Sequence, residues 1–215
     1  MRTAVPRRLV EQAARPGLGS LPRTGHHDRD RPALPLGDSR ERSGPAARSL
    51  AYHNLSIEHR PYDQAALGPE IEVGPYLAER FLEVAEDGVE ELRRAVEVLA
   101  AADGPAVFHC ASGKDRTGLL AALVLNLLGV PDPQIIEDFT RTELATDRLI
   151  ADWRAAYPGK ELTWPGYGRA PAEVMRLFLA ALAAEHGSVR RYTTERLGID
   201  DDAIAALRRN LLEAA

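Results

Sequence analysis

Residues 106–130 read AVFHCASGKDRTGLLAALVLNLLGV and hold the only cysteine of the 215 residues between two apolar runs. Asp103-Gly104-Pro105, just ahead, is a turn signal, and Ala106-Val107-Phe108 is a short apolar run that fits a buried strand. Beyond the loop, residues 117–128 are apolar nearly all round, and Gly129 with Pro131 supplies a stop, so a buried central helix is expected there. A strand, a turn with Gly113 in its middle, and then a helix point successive backbone N–H groups into one concavity. The helix dipole adds partial positive charge to it. Such a concavity suits an anion.

A free cysteine is on its own most often a small buried hydrophobe. Here the context argues otherwise, because the dipoles of the turn together with Arg116 and Lys114 would hold the thiol well below its usual range and make Cys110 a thiolate at neutral pH. Arg116 follows six positions on, where its planar fork matches two oxygens of a phosphate better than an ammonium does. Arginine is abundant in this chain, whereas Lys114 and Lys160 are its two lysines, so the lysine inside the loop is the more telling residue.

The rest of the chain bounds the function. Net charge is −5 and the basic residues are spread along the sequence, so no nucleic-acid footprint is expected. One cysteine makes no internal disulfide, and no segment has the length and purity of a membrane span. A reducing, cytoplasmic setting without stable membrane insertion is the expectation. The first 42 residues alternate prolines, glycines and arginines and read as irregular or disordered. From Arg48, RSLAYHNLSI alternates as a strand with Leu50, Tyr52, Leu55 and Ile57 inward. Residues 75–102 carry Leu77, Phe81, Val84, Leu92, Val96 and Leu99 at helical spacing, as one helix or two in line with Gly88 as a break. Further helices are expected at 133–156, 172–185, 188–197 and 200–212, with Asp132 and Asp200 as caps.

The string HCASGKDRTG resembles the active-site signature of the cysteine-dependent phosphatases: His-Cys, five residues, Arg, then Ser or Thr. Its GKDRTG ending resembles the bacterial and fungal tyrosine phosphatases with lipid-phosphatase-like loops. The likeness runs from about Ser43 to Leu212, through AALVLNLLGVPDPQIIEDF and the helical C-terminal segments. It implies an α/β fold over residues 43–215, a mixed central sheet flanked by helices with a helical C-terminal half. The phosphate loop would lie at the carboxyl end of a central strand.

The resemblance also implies a chemistry. Cys110 attacks phosphorus and forms a cysteinyl-phosphate that water hydrolyses. Backbone amides of Ala111, Ser112, Gly113, Lys114, Asp115 and Arg116, with the Arg116 side chain, hold the equatorial oxygens. No metal and no cofactor is required. Thr117 gives its hydroxyl to the sulfur or makes a helix-start hydrogen bond, and His109 orients the loop. Asp115 is the general acid, or else pairs with a neighbouring arginine and stiffens the loop; Asp63 and Asp87 lack a flanking motif and Asp103 reads as a turn residue. Partners would be phosphorylated proteins or phosphoinositides, although relatives specialised for inositol lipids often carry a second loop lysine where this chain has Ala111 or Ser112. Trp164 and Tyr167 in LTWPGYGRAP offer stacking surfaces, a composition more often used for packing.

One region departs from that pattern. The family normally has an apolar strand ending like TVIDLR before residue 48, where this chain reads GHHDRDRPALPLGDSRERSG, too polar for a core strand. GHHDRDRPA can be back-translated so that reading from the second nucleotide gives V-T-T-T-V-I-D-L. Residues up to about Leu36 to Asp38 then read as translated out of frame, leaving an N-terminal strand missing; a divergent N-terminus is the alternative. The corresponding functional alternative is an inactive or phosphate-binding remnant with a damaged scaffold.

Overall fold

A computed structural model describes residues 51–57 and 63–212. The described residues divide between two units, 51–54 in the smaller and 55–57 with 63–212 in the larger. Of the smaller unit only Ala51–Asn54 is described, and it forms no helix or strand. The irregular N-terminus expected up to residue 42 and the frame reading built on it lie outside the described residues.

The larger unit is helical. In chain order it comprises α1 (Val73–Asp87), α2 (Val89–Ala101), α3 (Asp115–Leu127), α4 (Asp132–Thr140), α5 (Thr146–Ala156), α6 (Ala172–His186) and α7 (Asp201–Leu211). A 3₁₀ segment, Arg141–Ala145, joins α4 to α5, and a helical turn at Val189–Arg191 runs into a wider turn at Tyr192–Arg196. Gly88 does break the long amphipathic segment in two, and the single helix expected over 133–156 is interrupted by the 3₁₀ turn. Asp200 caps α7 by accepting from the Ala203 N–H at 2.8 Å. Asp132 is instead the first residue of α4, behind Pro131, and makes no cap.

The expected mixed sheet is not found: no strand forms among the described residues. Ala106–His109 forms no strand or helix, and Val107 is 78% exposed. In the stretch read as a second strand Tyr52 is 80% exposed rather than inward. An extended run becomes a strand only through a ladder with a neighbour, and the described residues supply none. The alternating run at 51–57 and the short apolar run at 106–108 therefore met the composition of strands without their pairing.

The core is built by α3 against α1, α2 and α4, and by α6 against α1 and α4. α3 is apolar all round because it is central: Leu119, Leu123 and Leu127 are fully buried, and Leu120, Val124 and Leu125 nearly so. Phe81 of α1 sits between Phe139 and Phe178, edge to face with each at 5.7 Å between ring centres. Such pairs add about 0.5–1.5 kcal/mol beyond burial. α7 lies along α2, and Asn210 Nδ2 donates to the carbonyls of Ala100 and Ala102 at 2.9 Å, closing the end of α2.

Candidate active site

The loop 109–117 ends in the first turn of α3. Gly113 has φ +68°, a left-handed conformation that side-chain-bearing residues resist, and a Cβ there would meet nothing within 4 Å. Backbone need, not crowding, selects glycine here. Lys114 then caps α3, and its carbonyl accepts from the Gly118 N–H at 2.8 Å as the first helical bond. Ala111, Ser112 and Gly113 are exposed, Asp115, Arg116 and Thr117 are half-buried, and Lys114 is buried.

Cys110 is half-buried, and its N–H donates to Thr117 Oγ1 at 2.9 Å. That bond uses an oxygen lone pair and leaves the hydroxyl hydrogen for the sulfur. Burial, the largest single influence, raises the thiol's pKa. It is outweighed by the Thr117 hydroxyl, the Thr117 N–H, the Arg116 charge and the Lys114 N–H, so the pKa falls below the usual thiol value. His109 Nδ1–H donates to the Cys110 carbonyl at 3.0 Å, an acceptor that fixes which ring nitrogen carries the proton. Among the described residues no carboxylate pairs with Arg116, which leaves its fork free of internal partners there.

Lys114 is placed differently from a surface phosphate binder. Its side chain is 3% exposed, and its ammonium donates to the Arg169 carbonyl at 3.0 Å and lies 3.1 Å from Asp115 Oδ1. The second contact is an ion pair by distance, but its angle does not make it a hydrogen bond. Asp115 thus pairs with the loop lysine rather than with an arginine. Of the other acids, Asp63 accepts from the Ala65 N–H at 2.9 Å in a short turn.

The segment 163–171 is held against this loop by residues that local sequence gives no reason to single out. Glu143 Oε1 accepts from Arg169 Nε at 2.8 Å and from the Ala170 N–H at 3.2 Å, while Thr146 Oγ1 donates to the Gly168 carbonyl at 2.9 Å. Trp164 is buried, donating through Nε1 to the Ile71 carbonyl and meeting Tyr76 edge to face, so its ring serves packing. Tyr167 lies beside Trp153. These contacts span tens of residues, and only the Gly168 turn and the Pro171 helix start carry a local signal.

Among the described residues no group of three or more His, Cys, Asp or Glu side chains is arranged for a metal ion. None of their helices is long and apolar enough to cross a membrane.

Comparison with known proteins gives the same direction as the loop. The chain is 34% identical over 125 residues to a tyrosine-protein phosphatase of Nostoc commune, covering 54% of this chain and 42% of that protein. It is 37% identical over 65 residues to the triple specificity protein phosphatase PtpB of Mycobacterium tuberculosis, covering 30% of this chain and 24% of that one. The matched stretches span less than half the length of either relative. A sequence model of the tyrosine phosphatase family matches residues 28–213, and the chain belongs to that family.

Proposed function

We propose that this chain hydrolyses phosphate monoesters, phosphotyrosine first among them, with Cys110 as nucleophile. The observation that carries the reading is the Cys110 thiol, with a lowered pKa, beside Thr117 at the mouth of an exposed glycine turn. The thiolate attacks phosphorus, the bond from phosphorus to the ester oxygen breaks, and that oxygen leaves with a proton from Asp115. Water then attacks the cysteinyl-phosphate, its proton passes to the Asp115 carboxylate, and inorganic phosphate and the thiolate are released. Arg116 and the amides of Ala111, Ser112, Gly113 and Lys114 hold the non-bridging oxygens, where the charge of a loose transition state lies. The Lys114 ammonium is engaged by Arg169 and Asp115, which argues against its use on an inositol headgroup.

Hydrolysis of p-nitrophenyl phosphate by the wild type, with Cys110→Ser lower by several orders of magnitude and vanadate inhibiting, is the expected result. The lack of any strand among the described residues favours a second reading, a phosphate-binding remnant without turnover. That reading stands if wild type and Cys110→Ser are equally inert while both bind vanadate.

A further inference from the structure

The carbonyl that receives Lys114 and the N–H that meets Glu143 belong to one peptide unit, the bond between Arg169 and Ala170. A carboxylate stands at the positive end of that peptide dipole and an ammonium at its negative end. Hydrogen bonds in such a chain polarise and strengthen one another. The same ammonium faces Asp115 Oδ1, so an alternating row of charge and dipole runs from Glu143 through the peptide and Lys114 to the Asp115 carboxyl, whose other oxygen is left to carry the proton when Asp115 acts as the acid.

We infer that Glu143 is a positioning residue for the reaction, holding Asp115 at its station through the Arg169–Ala170 peptide and Lys114. The inference rests on the proposed role of Asp115 as the acid and assigns a part to a residue 28 positions away that touches no substrate. Three observations support it. A lysine that is 3% exposed tolerates burial only if its charge is met, and its partners are this peptide and Asp115. Glu143 holds the peptide from both sides, by the Arg169 guanidinium and by the Ala170 N–H, and its carboxyl is held below the usual range first by the Arg169 hydrogen bond. Thr146, three residues on, fixes the neighbouring Gly168 carbonyl, so the peptide cannot readily swing to follow a misplaced lysine.

The test compares aryl phosphates whose leaving groups differ in basicity. A phenolate that is a strong base needs its proton in the transition state, and 2,4-dinitrophenolate does not, so a displaced acid slows the first ester and spares the second. Loss of the cradle itself would slow both. Glu143→Ala is expected to lower kcat/KM for phenyl phosphate by roughly tenfold, a fraction of the 10²–10⁴ a general acid supplies. With 2,4-dinitrophenyl phosphate it should fall by less than about twofold. Lys114→Met should show the same selectivity. Arg169→Ala, which keeps the Ala170 N–H on Glu143, should show a smaller effect than Glu143→Ala. Unchanged circular dichroism confirms that each variant is folded. Asp115→Asn is the reference: if it slows both esters alike, the reading of Asp115 as the acid fails, and the relay with it. If Asp115→Asn is selective while Glu143→Ala slows both esters equally or neither, the relay alone is overturned.

Discussion

The Cys110 N–H donates to the Thr117 hydroxyl at 2.9 Å, so one side chain of α3 reaches back over the loop and closes it on the sulfur. The hydroxyl lowers the thiol's pKa as well as fixing its backbone. In Thr117→Val both functions are lost, whereas Thr117→Ser keeps them. The sign follows from which form gains: the donor stabilises the thiolate, so removing it raises the pKa and the thiolate appears only at higher pH. Ultraviolet absorbance of the thiolate against pH, with Cys110→Ser as blank, should show the Val midpoint displaced upward and the Ser midpoint near wild type. A Val midpoint equal to wild type would show that the amides and Arg116 alone set the thiol.

Arg116→Lys keeps the charge and removes the fork. Because no described carboxylate pairs with Arg116, the change should leave folding alone and act on bound phosphate. A loss of roughly 10²–10³-fold in kcat, larger than the change in KM, is expected from removing one transition-state clamp. Steady-state kinetics on p-nitrophenyl phosphate decide it, and retention of more than about a third of wild-type kcat, far above that loss, would remove Arg116 from its assigned place.

Gly118→Ala tests the floor beneath the loop. A Cβ there would stand 2.9 Å from Cδ2 and Cε2 of Phe139, a ring that is itself wedged against Phe81. Alanine brings about 1 kcal/mol of helix propensity, and overpacking costs about 1–3 kcal/mol. Net destabilisation of up to about 2 kcal/mol is expected, with a thermal midpoint lower by up to about 8 °C. A higher midpoint would mean that the ring turns aside at little cost.

The N-terminal stretch carries a prediction about the gene rather than the fold. We propose that the segment up to about Leu36 to Asp38 is read out of frame, and the encoding DNA around GHHDRDRPA is the test. Codons that spell V-T-T-T-V-I-D-L from the second nucleotide are the expected result. Codons that cannot do so eliminate the idea.

The sequence was a good guide wherever a structure is made by neighbours along the chain. Helical spacing placed α1 and α2 with their break at Gly88, and the apolar run after the cysteine placed α3, because one helix face is a property of residues three and four apart. The contact between Cys110 and Thr117 was within reach of the sequence for the same reason, since a single turn brings the two residues together. Strands were misjudged at Val107 and Tyr52 because a ladder needs a partner, and alternation along one run does not reveal whether the chain provides it. Glu143 was missed because its contacts lie 26 and 27 residues away on a segment whose own sequence suggested only packing.

Cys110 is the single cysteine of the chain and is left half-buried, not sealed in the core. A thiol-selective alkylating reagent therefore enters at one known atom, and intact mass counts occupied sites directly as zero or one adduct per chain. Protection of that adduct by phosphate, vanadate or a phosphopeptide would rank ligands for the loop without turnover, so occupancy could be titrated even in a preparation that hydrolyses nothing.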